Sequence, residues 1–66
     1  MNHELLKKER MNKGYSQAYM AKSLEFKDRS SYCLIENGKV SIDVETAKNI
    51  AKILDLTPKR TLEVFM

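Results

Sequence analysis

The length of the chain limits its folding most strongly, because 66 residues provide for only one hydrophobic core. A chain this short buries only about 60% of the surface that it exposes when unfolded, so all of its amphipathic segments must share that core. There is no room for a second domain, a deep substrate cleft or a large cofactor. We therefore expect a single domain over residues 1–66.

The composition is typical of a globular protein, with 42% apolar and 32% charged residues. No apolar run approaches the roughly 20 residues of a membrane span, and no signal peptide is apparent. The single cysteine, Cys33, cannot form an internal disulfide or a zinc site of the Cys/His type, and His3 is the only histidine. We expect a cytoplasmic protein with no membrane partner, no cofactor and no bound metal.

The positive charge of the chain is concentrated in its first part. The net charge is +3, and residues 1–40 hold eight Lys or Arg against five Asp or Glu, whereas residues 41–66 hold four of each. A mildly basic first part is compatible with a polyanionic partner, although many small domains are equally basic.

The hydrophobic pattern predicts five short helices and no strand. The first covers about residues 3–13 before Gly14, and the others begin at predicted N-caps. These caps are Ser16, Asp28, Asp43 and Thr57, the last followed by Pro58. The expected core residues are Met11, Met20, Ala21, Leu24, Tyr32, Ile35, Val44, Ala47, Ile50, Ala51 and Leu54.

The segment KDRSSYCLIENGK, residues 27–39, has an unusual outer face for a surface helix. Tyr32 and Ile35 are expected to face the core together. The other face carries two i, i+4 pairs, Arg29 with Cys33 and Ser30 with Leu34. Long charged side chains normally cover an exposed helix face, whereas these short side chains permit close approach to another surface. Such a helix can enter the major groove, where Arg pairs with guanine and an apolar group meets a thymine methyl.

Two motifs in order, YSQAYMAKSL and YCLIENGK, resemble the phage-repressor and Cro-like helix-turn-helix proteins, the XRE family. The resemblance implies a compact, all-α, lambda-repressor-like domain of five helices, with the motif at about residues 16–38. It also implies a sequence-specific transcriptional regulator that binds a double-stranded DNA operator as a homodimer through the major groove. Its location would be the bacterial cytoplasm or a phage-infected cell.

The resemblance implies roles for individual residues as well. Base contacts are implied for Arg29, Ser30, Cys33 and Leu34. Phosphate contacts are implied for Gln17, Ser31, Asn37, Gly38 and Lys39, and Gln17 would also orient Arg29. Arg10 and Glu36 lie where the family often has a structural ion pair between helices.

The end of the chain is the expected dimer interface, formed by Leu62, Val64, Phe65 and Met66. A core of this size can hardly cover such an apolar tail completely. One small domain also reads only a few base pairs, so tight binding generally needs two half-sites.

Three positions depart from the family pattern. The turn after Leu24 reads Glu25-Phe26-Lys27 and lacks the usual glycine, and Asp55 stands where glycine commonly ends the fourth helix. Ile42 replaces a common proline.

The sequence is also compatible with other functions. A protein-interaction module, such as an antirepressor without operator binding, is the main alternative. RNA binding is disfavoured because no aromatic residues interleave with a basic stripe. An enzyme is not expected, since the chain has no set of histidine, acid and nucleophile.

Overall fold

A computed structural model describes all 66 residues, which form five α-helices and no β-strand. The helices are α1 (His3–Asn12), α2 (Gln17–Ser23), α3 (Arg29–Glu36), α4 (Val44–Ile53) and α5 (Pro58–Phe65). The predicted all-α class is confirmed, and the helices begin at the predicted caps. None of these helices has the length and apolar character that crossing a membrane requires.

Every helix begins with a side-chain cap. In each case the N-cap oxygen accepts a hydrogen bond from the backbone N–H three residues later, an interaction that stabilises a helix by about 1 kcal/mol. The caps are Asn2, Ser16, Asp28, Asp43 and Thr57. Short helices that are marginal by themselves thus have well-defined starting points.

Helices α1 to α4 all end in the same backbone arrangement, with one residue in the left-handed region. These residues are Gly14, Glu25, Gly38 and Asp55, with φ between 52° and 75°. After α2, Phe26 N–H donates to the Ala21 carbonyl at 2.8 Å and Glu25 N–H to the Lys22 carbonyl at 3.0 Å, which is the Schellman motif. The two positions that lack the family's glycine therefore adopt the conformation that glycine favours.

The core contains eight buried apolar side chains drawn from all five helices: Leu6, Met20, Ala21, Tyr32, Ile35, Ile50, Leu54 and Val64. Helices α2 and α3 pack closely, and α1 contacts both α3 and α5. Asn2 N–H also donates to the Val64 carbonyl at 2.6 Å, which joins the two ends of the chain. This packing fixes α3 against the rest of the domain and leaves its outer face free.

Two residues predicted for the core are exposed. Met11 is 59% exposed because the inward position on that turn of α1 belongs to Arg10, and the next residue is rotated by about 100° toward solvent. Val44 is 72% exposed because it is the first residue of α4, where the apolar stripe extends past the edge of the core. The predictions for these two residues were therefore wrong.

Candidate nucleic-acid interface

Helix α3 presents the face that the sequence singled out. Tyr32 and Ile35 are buried, which sets the rotation of the helix about its axis. Of the four residues expected to contact bases, Arg29, Ser30 and Leu34 are exposed and Cys33 is partly exposed. The Cys33 thiol accepts a hydrogen bond from Asn37 Nδ2 at 3.3 Å. The structure therefore brings these four residues together on two successive turns of one helix.

Arg29 is held at one corner of its guanidinium. Its Nη1 donates to Gln17 Oε1 at 2.9 Å, a contact that joins the first residue of α3 to the first residue of α2. Its Nε and Nη2 make no hydrogen bond within the chain. The contact limits the directions that the Arg29 side chain can take and leaves one edge of the donor fork free for an external acceptor.

Behind this contact lies a buried ion pair between α1 and α3. Arg10 Nε donates to Glu36 Oε2 at 2.8 Å and Arg10 Nη2 donates to Glu36 Oε1 at 2.9 Å. Side-chain exposure is 10% for Arg10 and 2% for Glu36. Arg10 Nη1 also donates to the Tyr15 carbonyl at 2.7 Å, and Gln17 Nε2 donates to Glu36 Oε1 at 3.3 Å. The pair implied by the resemblance is thus present, with bidentate geometry.

The ion pair keeps both partners charged. Burial acts to raise the pKa of the Glu36 carboxyl, but the hydrogen bonds from Arg10, the nearby Tyr32 hydroxyl, the hydrogen bond from Gln17 and the Arg10 charge outweigh it, so the net pKa is lowered. The hydrogen bond to Glu36 raises the pKa of Arg10 above its ordinary value, against the opposing effect of burial.

Tyr32 completes the polar cluster inside the domain. Its hydroxyl is buried without a hydrogen bond of standard geometry, although the Glu36 carboxylate is close enough to interact with it. Burial, followed by this interaction, raises the pKa of Tyr32, so the phenol stays protonated. The side chain therefore adds no charge to the cluster.

The loop after α3 lies beside the start of α1. Asn37, Gly38 and Lys39, three of the residues expected to contact phosphates, are exposed. A side chain at Gly38 would meet the His3 imidazole at 3.0 Å, so this loop needs glycine both for its positive φ and for the close approach. His3 is half-buried against the loop.

The other two residues expected to contact phosphates already have partners within the chain. Ser31 N–H donates to the Asp28 cap at 3.2 Å, and its hydroxyl lies 3.4 Å from the same oxygen. The Gln17 amide contacts both Arg29 and Glu36, but its NH₂ group has a second hydrogen that remains available.

The model of the HTH_3 helix-turn-helix family matches residues 6–60, a range that begins within α1, includes α2 to α4 and ends within α5. The chain belongs to this family. HTH_3 domains, which are of the XRE and Cro type, bind DNA and are not enzymes. No curated protein and no solved structure matches the chain.

The end of this HTH_3 domain differs from the expected dimer interface. Val64 is fully buried in the core, so it does not belong to an interaction surface and that assignment is corrected. Its side chain belongs to the core that all five helices share, and its backbone carbonyl accepts a hydrogen bond from Asn2 N–H. Phe65 is half-buried and packs against the core, whereas Leu62 and Met66 are exposed.

A shallow groove lies between α5 and the segment from residue 38 to the start of α4. Five of the eight exposed large apolar side chains of this HTH_3 domain line it, namely Met1, Val40, Val44, Leu62 and Met66. None of the four expected base-contact residues borders this groove. The sequence pattern assigned neither Val40 nor Val44 to this surface. The sequence could have indicated an exposed apolar position at Val40, because this residue is apolar and lies in a loop without helical periodicity.

Proposed function

We propose that this HTH_3 domain is a transcriptional regulator that recognises a double-stranded DNA operator by inserting α3 into the major groove, and that it binds as a homodimer. The observation that carries the proposal is the Arg29 guanidinium, exposed at the start of α3 and held at Nη1 by Gln17. The free Nε and Nη2 edge has the geometry that guanine O6 and N7 accept in a bidentate pair. Ser30, Cys33 and Leu34 would read the neighbouring bases.

Phosphate contacts are assigned to the ends of the motif. Asn37, Gly38 and Lys39 form an exposed loop at the end of α3, and Lys39 supplies a positive charge there. Gln17 would contribute the free hydrogen of its amide from the start of α2. These contacts would position α3 on the duplex without carrying sequence information.

Selection of bound sequences from a random duplex pool, followed by two substitutions, tests the proposed roles. Arg29→Ala should remove the preference at one base pair of each half-site, because a bidentate Arg–guanine pair discriminates by roughly 1 to 3 kcal/mol. Lys39→Ala should weaken binding to all sequences almost equally and reduce the salt slope by about 1. If Arg29→Ala also weakens all sequences equally, Arg29 is a phosphate contact and the base-reading role must move to Ser30, Cys33 and Leu34.

The homodimer is proposed to form through the apolar groove beside α5. The groove gathers most of the exposed apolar side chains, and two half-sites about 34 Å apart would give the affinity that a single small domain lacks. Leu62→Asp should shift sedimentation to the monomer and weaken operator binding without unfolding the domain. Met11→Asp, which places the same charge on an exposed apolar position of α1, is the matched control and should change neither. A monomer that binds a single site with full affinity contradicts the dimer.

A protein-interaction module without operator binding is the second candidate, favoured by the exposed Leu34 on the outer face of α3. Retention on random DNA separates the two functions. Retention that falls as salt rises supports DNA binding, because phosphate contacts release counterions. Absence of retention at low salt supports the interaction module.

A further inference from the structure

The amide of Gln17 has only one favourable orientation, because its two neighbours differ in hydrogen-bonding capacity. An ionised carboxylate only accepts hydrogen bonds and a guanidinium only donates them. Gln17 therefore turns Nε2 toward Glu36, at 3.3 Å, and Oε1 toward Arg29, at 2.9 Å. The reversed amide would place oxygen against the carboxylate and N–H groups against the guanidinium, which is unfavourable at both ends.

Glu36 is itself held by the two hydrogen bonds from Arg10. A continuous series of side-chain hydrogen bonds thus leads from Arg10 in α1, through Glu36 in α3 and Gln17 in α2, to Arg29 on the exposed face. Linked hydrogen bonds polarise one another, so the buried negative charge also strengthens Gln17 Oε1 as an acceptor.

We propose that Glu36 is a positioning residue for base recognition, acting on Arg29 through the amide of Gln17. The inference rests on the proposed function, because it assigns to Glu36 a share in sequence discrimination. Glu36 is buried, so its proposed role is to position other side chains and not to contact a base. Without its negative charge the Gln17 amide is free to reverse, Arg29 loses its acceptor, and the guanidinium spends less time in the direction that pairs with guanine.

Two variants of the full chain test the proposal, Glu36→Gln and Gln17→Met. The first keeps the shape of the side chain but can donate to Gln17 as well as accept, and the second removes the amide while keeping the length. Affinity is measured for the selected operator and for a duplex altered at one base pair, namely the pair at which Arg29→Ala loses its preference. The measured quantity is the ratio of these two affinities. We expect each variant to lower this ratio about tenfold. The combined variant Glu36→Gln/Gln17→Met should lower it no further, because both changes act through the same contact.

A control variant that truncates a core residue outside the hydrogen-bonded series separates a positioning role of Glu36 from a general loss of stability. Leu54 is buried at the end of α4 and takes no part in these side-chain hydrogen bonds, so Leu54→Ala should destabilise the domain but preserve the affinity ratio below its melting temperature. If Glu36→Gln does not fold, the double variant Arg10→Met/Glu36→Leu replaces it, because it leaves no unpaired buried charge.

Nuclear magnetic relaxation of the Arg29 Nε–H provides a measurement that needs no DNA. We expect restricted motion in the wild-type chain and in Leu54→Ala, and faster, larger motion in Glu36→Gln and Gln17→Met. The inference would be overturned, with the proposed function unaffected, if Glu36→Gln bound both duplexes more weakly by the same factor and the motion of the Arg29 side chain stayed restricted. A wild-type chain that enriches no sequence would overturn the proposed function and the inference with it.

Discussion

Breaking the buried ion pair between Arg10 and Glu36 should be among the most destabilising changes to the contact between α1 and α3. Arg10→Met leaves a carboxylate whose side chain is 2% exposed, with Gln17 Nε2 at 3.3 Å as its remaining hydrogen-bond donor. Glu36→Leu leaves a guanidinium that keeps only the Tyr15 carbonyl, at 2.7 Å. Removal of one partner of a buried pair costs about 3 to 5 kcal/mol.

This loss is large for a domain of this size. At roughly 0.05 to 0.15 kcal/mol per residue, the whole chain is stable by about 3 to 10 kcal/mol. A loss of about 3 kcal/mol corresponds to a Tm about 12 to 24 °C lower. Thermal and urea unfolding of the four proteins of a double-mutant cycle, in sulfate buffer to keep the single variants folded, measures the loss directly.

The double variant Arg10→Met/Glu36→Leu should be more stable than either single variant. It leaves no buried charge, and the remaining cost of about 1 to 2 kcal/mol comes from the Gln17 amide, which loses the Glu36 carboxylate as an acceptor. Because each single variant loses at least about 3 kcal/mol, the coupling energy would be at least about 4 kcal/mol. Additive losses below 1 kcal/mol in each single variant would refute the reasoning, because they would mean that neither group is desolvated.

Three further predictions concern stability. The pKa of Glu36 is lowered in the folded chain, so its ionisation contributes fully to the free energy of unfolding above the unfolded pKa of about 4.5, and this contribution is lost as pH falls through the folded pKa. In urea titrations, acid should therefore destabilise the wild type more steeply than Arg10→Met/Glu36→Leu. Glu25→Gly should raise Tm by a few degrees, since glycine removes about 1 to 2 kcal/mol of left-handed strain at φ 60° at a smaller cost in unfolded-chain entropy, whereas Lys22→Gly within α2 should lower it. Gly38→Ala should cost more stability in the same melts than Gly14→Ala, because both have positive φ but only the first places a methyl group 3.0 Å from an imidazole; equal losses would show that the imidazole moves aside freely.

The features that sequence analysis predicted well depend on short stretches of chain. Ser16, Asp28, Asp43 and Thr57 mark helix starts because an N-cap needs only its own oxygen and an N–H three residues later. The pair of Arg10 with Glu36 came from the family resemblance, since no local rule joins residues 26 positions apart.

The features that sequence analysis missed depend on where the core ends. A helical stripe assigns Val44 to the inside, but the stripe cannot show that α4 begins beyond its packing neighbours. Val64 lies in an apolar tail of the sequence, but the packing of α5 buries its side chain in the core. The contact of Gln17 with Glu36 requires the packing of α2 on α3, and only the three-dimensional structure brings those two residues together.

The most direct test of the account is the affinity of the wild-type chain for its selected operator and for a scrambled duplex of equal length, measured over a range of salt concentrations. We predict that the operator is bound at least about 10³-fold more tightly than the scrambled duplex, and that binding to both weakens as salt rises. Equal affinity for the two duplexes, or no binding at low salt, would contradict the claim that α3 reads base edges in the major groove.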